Sequence, residues 1–172
     1  MNKEQIRILL IDWMVNFLEK PNEKLSGWSP CPFSRKARLE DKIEIIFGDE
    51  TDIRNNIFNS TKLLENRDVV IVCFDHTKIN TNDFSSLVID MNKELMINDI
   101  VLLEDHPEDE EYVNDLKLNF GHCALIFIQK LGKLQESSAL LKNKNYYDVW
   151  SIEQYNKVVA WREILQNKSQ TD

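Results

Sequence analysis

No stretch of this chain stays apolar for the roughly 20 residues that a helix needs to cross a bilayer. The sequence therefore reads as a protein that does not enter a membrane. The first residues, Met1-Asn2-Lys3-Glu4-Gln5, lead into an amphipathic pattern and lack the uniform apolar core of a signal peptide. Cysteine is scarce. Three of them, an odd number at wide spacing, argue against a disulfide framework and agree with a reducing compartment. The expected location is the cytoplasm. Positive charge is in deficit, with a net charge of −8. That argues against nucleic-acid binding as the main function, because phosphate affinity rests on clustered Lys and Arg. No internal repeat and no low-complexity linker divides the chain.

What is present suits one domain. The 172 residues, 42% of them apolar, are enough for one real core and too few for two comfortable ones. Ile6, Leu9, Leu10, Trp13, Phe17 and Leu18 fall on one face of a helix from about Lys3 to Glu19, and Pro21 follows as a stop. Strands are predicted at Ile43–Phe47, Val69–Phe74, Ile100–Leu103 and Cys123–Ile128. The second is a continuous apolar run, as expected of a strand buried on both faces. Helices are predicted at about Asp49–Glu65, after the caps Asn80–Asn82 through Leu95, at Leu134–Leu141, and from the capping box Ser151–Gln154 through Leu165. Residues 167–172 read as a frayed polar tail. The implied fold is a single α/β domain, a two- or three-layer sandwich around a four-stranded mixed sheet in βαβαββ order. Helices at both ends of the chain flank it. The orientation of the third strand is not legible.

Four segments carry candidate chemistry. In Trp28–Arg38, Pro30 and Pro32 fix the backbone around Cys31. Pro32 as a first helical residue puts Cys31 near an N-cap, where the helix dipole and Arg35, Lys36 and Arg38 favour the thiolate. The plainer reading is a rigid turn with a packed cysteine. Second, Asp49-Glu50, Asp75-His76 and Glu104-Asp105-His106 each follow a strand, and parallel strands would gather them at one edge as donors for a divalent metal. The plainer reading is helix caps and a solvated acidic loop, Glu104–Glu111. Third, His122 beside Cys123 is a candidate metal or heme axial ligand, or else a hydrogen-bonded structural residue. Cys73 and Cys123 read as inert core. Fourth, the aromatic residues Trp150 and Trp161 close a core or line a flat cofactor or a partner groove.

Two resemblances add expectations. Cys31-Pro32-Phe33-Ser34 followed by Arg35-Lys36 resembles the Cys-Gly-Phe-Ser segment of monothiol glutaredoxins, which implies thiol chemistry at Cys31. Over most of the chain, Pro30-Cys31-Pro32-Phe33, His106-Pro107-Glu108-Asp109 and Phe120-Gly121 before Ala124–Ile128 resemble, in order, proteins of the YqcI/YcgG type. Where those proteins show Pro-Ala-His and arginines, this chain has Gln129-Lys130-Leu131-Gly132. Some members are heme-dependent enzymes that hydroxylate nitrogen on guanidine-bearing amino acids. The resemblance implies a small redox enzyme that binds heme or iron and acts on an amino-acid-like small molecule. Cys31 and His106 would be its catalytic groups. His106 or His122 would be the metal ligand, and Arg35, Lys36 and Arg38 would hold an anionic group or the heme propionates. The non-enzymatic alternative is an acidic adaptor that binds a basic protein partner through Glu104–Glu111. One geometric expectation joins these readings: the basic cluster and the acidic segment face each other, so that Cys31 and His106 share one pocket suited to a zwitterionic ligand.

Overall fold

Asn2 starts the first helix. Its side chain accepts the Gln5 N–H at 2.8 Å, and the Gln5 side chain accepts the Asn2 N–H at 3.0 Å. This reciprocal cap fixes the start of α1 (Lys3–Trp13), which continues into a π turn, Met14–Leu18. The chain then forms α2 (Ser34–Leu39), β1 (Ile43–Phe47), α3 (Ile53–Thr61), β2 (Val69–Phe74), α4 (Thr81–Leu95) and β3 (Ile100–Asp105). A short hairpin follows, β4 (Tyr112–Val113) and β5 (Leu116–Lys117), and then β6 (Ala124–Lys130), α5 (Leu131–Asn143) and α6 (Ile152–Tyr155). A second π turn, Asn156–Ala160, extends α6. The structure, a computed structural model, describes residues 1–162. The predicted helical residue Leu165 and the predicted tail 167–172 lie outside the described residues.

The sheet order is β1-β2-β6-β3. β1 and β2 are parallel, and β6 is antiparallel to both β2 and β3. β3 therefore runs in the same direction as β1 and β2, with β6 inserted between. α3 and α4 cover one face through Ile57, Phe84, Val88 and Met91, packed on Val70, Val72, Phe74 and Ile126. α1 covers the other through Ile6, Leu10 and Met14, packed on Ile45, Ile71 and Leu125. The result is a three-layer α/β sandwich around a four-stranded mixed sheet. Among the described residues no helix is long and apolar enough to cross a membrane.

One expectation is corrected. β3 does not stop at Leu103: Glu104 pairs with Ile126 and Asp105 with Leu125. The acidic segment thus begins inside the sheet, and residues 106–111 are loop and turn as expected. Just beyond it, Asn114 (φ 47°) and Asp115 (φ 59°) form the two-residue turn of the β4–β5 hairpin. Such turns need positive φ at both positions, which Asn and Asp tolerate.

Each sheet edge is met at one residue by a side chain. Arg7 Nη2 donates to the Ile45 carbonyl on β1 at 2.8 Å. On β3 the buried Asn92 amide accepts the Leu102 N–H at 2.8 Å and donates to the Leu102 carbonyl at 3.0 Å. One side chain thereby stands in for a neighbouring strand. The Asn92→Leu variant keeps the branched shape and strips both bonds. It is expected to lose about 2–6 kcal/mol, from about 1–3 kcal/mol for each of the two buried groups left unmet. A urea midpoint shift with an unchanged slope checks this.

Candidate functional site

Because β1, β2 and β3 run the same way, their carboxyl ends meet at one end of the sheet, where ligand sites of α/β proteins commonly lie. At β2, the Asp75 side chain caps the short turn His76–Lys78, and the Asp75 N–H donates to Glu50 at 2.8 Å. Asp49 caps locally too, accepting from the Thr51 N–H and hydroxyl at 2.9 and 2.7 Å. These carboxylates serve turns, as the plainer reading expects. The group at β3 differs.

Asp105 is buried and fully bonded. It accepts the Phe120 N–H at 2.8 Å and the Asn119 amide at 2.7 Å. Desolvation still holds its pKa above the ordinary value. Glu104 faces α4. Burial pushes its pKa up, the Ser85 hydroxyl opposes this only in part, and its Oε2 is buried without a partner. Glu111 is also pushed up, first by burial, with Asp105 and Asp109 adding negative charge nearby.

His106 is the most enclosed of the three histidines, 2% exposed. Its ring packs on Phe84 at 5.8 Å and lies 6.1 Å from His76. The Glu108 N–H donates to Nδ1 at 3.2 Å, so the neutral ring carries its proton on Nε2. That Nε2 is buried without a partner.

These groups line a cleft of about 540 Å³ along the open edge of β3. Its polar side holds Glu104, Asp105, His106, Glu111 and Asn119. Its apolar side holds Val88, Ile89, Leu102, Val158 and Trp161, and Lys157 stands at the margin. The second π turn supplies Lys157 and Val158, and such turns are frequent at functional sites. The volume suits a small molecule.

Cys31 lies elsewhere. It lines a separate cavity of about 400 Å³, over Ile43, Ile71 and Phe127 on the α1 face of the sheet. His106 packs on the α4 side. The shared-pocket expectation fails, and with it the zwitterionic ligand inferred from it. The charge clusters found nearer partners instead. Arg38 closes on Glu19 with two bonds of 2.8 Å, and Lys36 approaches Glu40 at 4.0 Å. Across the molecule, Lys117 pairs with Glu110. A nearby partner orders less chain than a distant one, so the local pairs form.

The expected thiolate setting at Cys31 is also altered. α2 begins at Ser34 with Phe33 as its N-cap, so Cys31 precedes the helix start. Burial pushes its thiol up. Backbone hydrogen bonds from Ser34 and Phe33 oppose that, and the Glu19 charge adds to it. Arg35 and Lys36 are exposed, and only Lys36 of the basic trio lines the Cys31 cavity. His122 is exposed with its ring edge-on to Phe120 at 5.1 Å. Cys73 and Cys123 are buried and hydrogen-bonded to each other, which with desolvation drives the Cys123 thiol far up. Trp150 sits in a ring cluster with Tyr146 and Tyr147, whereas Trp161 lines the His106 cleft.

Asn92, Asn119 and Lys157 escaped the sequence reading. Asn92 had a signal: it occupies an inward position of the Phe84, Val88, Met91, Leu95 stripe, where a polar residue needs a buried partner. Asn119 and Lys157 had none.

Comparisons of the chain with known protein families, with curated proteins and with solved structures find no match. The two family resemblances rest on the quoted segments alone.

Two measurements test these electrostatics. Cys31 alkylation in wild type is expected to titrate above the ordinary thiol value of about 8.5. In Glu19→Gln the midpoint moves down, because the charge that opposes the thiolate is gone. The cleft carboxylates give a second test. A carboxyl whose pKa is raised on folding contributes stability that is complete below its ordinary range and is lost as pH rises through the raised value. Glu111→Gln removes one such ionisation. The variant is expected to be more stable than wild type at pH 7.5, with the difference vanishing as pH falls toward the ordinary carboxylate range. Urea midpoints at several pH values check the sign.

Proposed function

We propose that this protein binds a small amine-bearing molecule in the cleft along β3 and moves a proton there. One observation carries the reading. Glu104 and His106 alternate along the same side of the chain, and each leaves one buried polar atom unmet in the same cleft: an acceptor, Oε2, and a donor, Nε2–H. Native proteins rarely leave such atoms orphaned, and a ligand is one way of satisfying them. Desolvation raises the pKa of the carboxylates around them, so a cation entering the cleft gains by favouring their ionised forms. Apolar walls suit a hydrocarbon body behind the charge. Perturbed acids and a buried imidazole in one cleft are the materials of acid–base work. On binding, Glu104 gives up its proton to solvent and the carboxylate pairs with the ammonium, while His106 Nε2–H donates to a second group.

The heme or iron chemistry implied by resemblance finds weaker support. Among the described residues no three of His, Cys, Asp and Glu gather as metal donors. Arg38 is committed to Glu19, so the three basic residues expected to hold propionates do not converge on one pocket. These residues do not fit the cofactor, and no step is routed through it. A thiol mechanism at Cys31 would need a lowered pKa, and burial acts the other way. The adaptor reading has only part of the acidic segment to work with: Glu108, Asp109 and Glu110 are exposed, whereas Asp105 is buried and Glu104 and Glu111 are half-buried.

The test is calorimetry with n-pentylamine. Binding should be saturable, release protons, and tighten as pH rises through the raised carboxylate values, because the cation favours the ionised forms. Glu104→Gln should weaken it at least about tenfold. No saturable heat at millimolar amine, or affinity that falls with rising pH, would remove the proposal.

A further inference from the structure

We infer that the ligand of the β3 cleft carries a main-chain-like amide beside its amine, and pairs with the backbone of Glu104 as one residue of an added strand. This rests on the amine reading of the cleft and deepens it.

Along an antiparallel pair, residues alternate between pointing both backbone groups at the partner strand and pointing both away. Leu102 points away from β6, since its N–H and C=O are both held by Asn92. Beyond the strand's amino end, the Leu131 N–H donates to the Asp99 carbonyl at 3.0 Å, so the odd-numbered residues face β6. Glu104, two residues past Leu102 and paired in register with Ile126, must then point its own N–H and C=O outward, over the cleft. Among the described residues nothing meets either group.

The open edge is short. Asn92 seals it at Leu102, and on the other side the Asn119 amide donates to the His106 carbonyl at 3.3 Å. Between these seals lies a window one residue wide, bearing one donor and one acceptor. That pair matches a single extended residue with an amide on each side, which is the unit of strand addition. A longer strand would displace Asn92 or Asn119. The Glu104 and Glu111 carboxylates line the same cleft and complement a positive end on that residue's side chain. The Val88, Ile89 and Trp161 walls take its hydrocarbon. The fitting chemistry is a short peptide unit with a lysine-like side chain.

Three probes separate this inference from the reading below it: n-pentylamine, N-acetyl-norleucine N-methylamide, and N-acetyl-lysine N-methylamide. The first has only the amine, the second only the amides, the third both. Affinity is measured by calorimetry, and exchange of the Glu104 amide hydrogen by NMR on the full chain. The expected result is that the third probe binds about tenfold tighter than n-pentylamine. It should also slow exchange at Glu104, which n-pentylamine should not. If the third probe and n-pentylamine bind equally and Glu104 exchange is unchanged, the amide pairing is wrong and the amine reading survives. If only the two amides bind and both protect Glu104, the pairing stands and the amine reading falls. Slow exchange at Glu104 in the ligand-free protein would show the window already filled and overturn the inference.

Discussion

A strand at the edge of a sheet cannot leave its backbone groups buried and unpaired, and this constraint organises the molecule. The chain inserts β6 between β2 and β3, which makes β3 an edge while keeping its direction the same as β1 and β2. Two consequences follow. The carboxyl end of β3 joins those of the other two strands, which places Asp105 and His106 at the sheet's ligand-prone end. The outer ladder of β3 must also be met by something other than a strand. Asn92 does this from inside an otherwise apolar helix stripe, with bonds of 2.8 and 3.0 Å to Leu102. The cleft begins where that substitution stops.

The same edge explains why the cleft is electrostatically uncomfortable. Strand pairing carries Glu104 and Asp105 into the sheet, where water cannot solvate them. Asp105 offsets this with bonds from Phe120 and Asn119, and its pKa is still raised. Glu104 has the Ser85 hydroxyl and an orphaned oxygen. Glu19 shows the contrast. Its side chain is 4% exposed, yet its carboxylate meets a bidentate Arg38 and its pKa is lowered. The fold thus has the means to neutralise a buried carboxylate and uses them on the α1 side. On the β3 side Glu104 has no such cation and keeps an orphaned oxygen, and its pKa is raised.

Much of the fold was legible because its signals are local. The run Val69–Phe74 could only be a buried strand, and the caps at Asn80 and Ser151 sit where the structure has them. The direction of β3 was not legible, since it depends on where β6 inserts, a pairing between distant segments that leaves no local trace. The hairpin at Asn114-Asp115 was readable in principle from two residues that tolerate positive φ, but two-residue strands are too short to show alternation. The acidic segment misled for a clear reason. Charge density suggests solvation, and it took the register Glu104↔Ile126 to show that part of it is sheet. His106 was singled out by its place after a strand, and the structure buries it. Its supposed partner Cys31 was assigned by matching opposite charges across the molecule, and Arg38 had a nearer acid in Glu19.

The two cavities share a local feature that periodicity could not reveal. Each is lined by a π turn that continues a helix: Met14 and Leu18 at the Cys31 cavity, Lys157 and Val158 at the cleft. An inserted residue in a helix loosens its hydrogen bonding and is retained when the displaced side chains serve some purpose. At the first π turn the Glu19 N–H reaches back to the Met14 carbonyl at 2.9 Å, which seats Glu19 to receive Arg38 and Ser34. At the second, the turn carries Val158 and Lys157 toward β3, and Trp161 follows at its end. Val158 and Trp161 thereby supply part of the apolar wall of the cleft that Glu104 also lines. The cleft is therefore built from both sides by departures from regular structure: an amide replacing a strand at Asn92, and a widened turn closing over the gap it leaves.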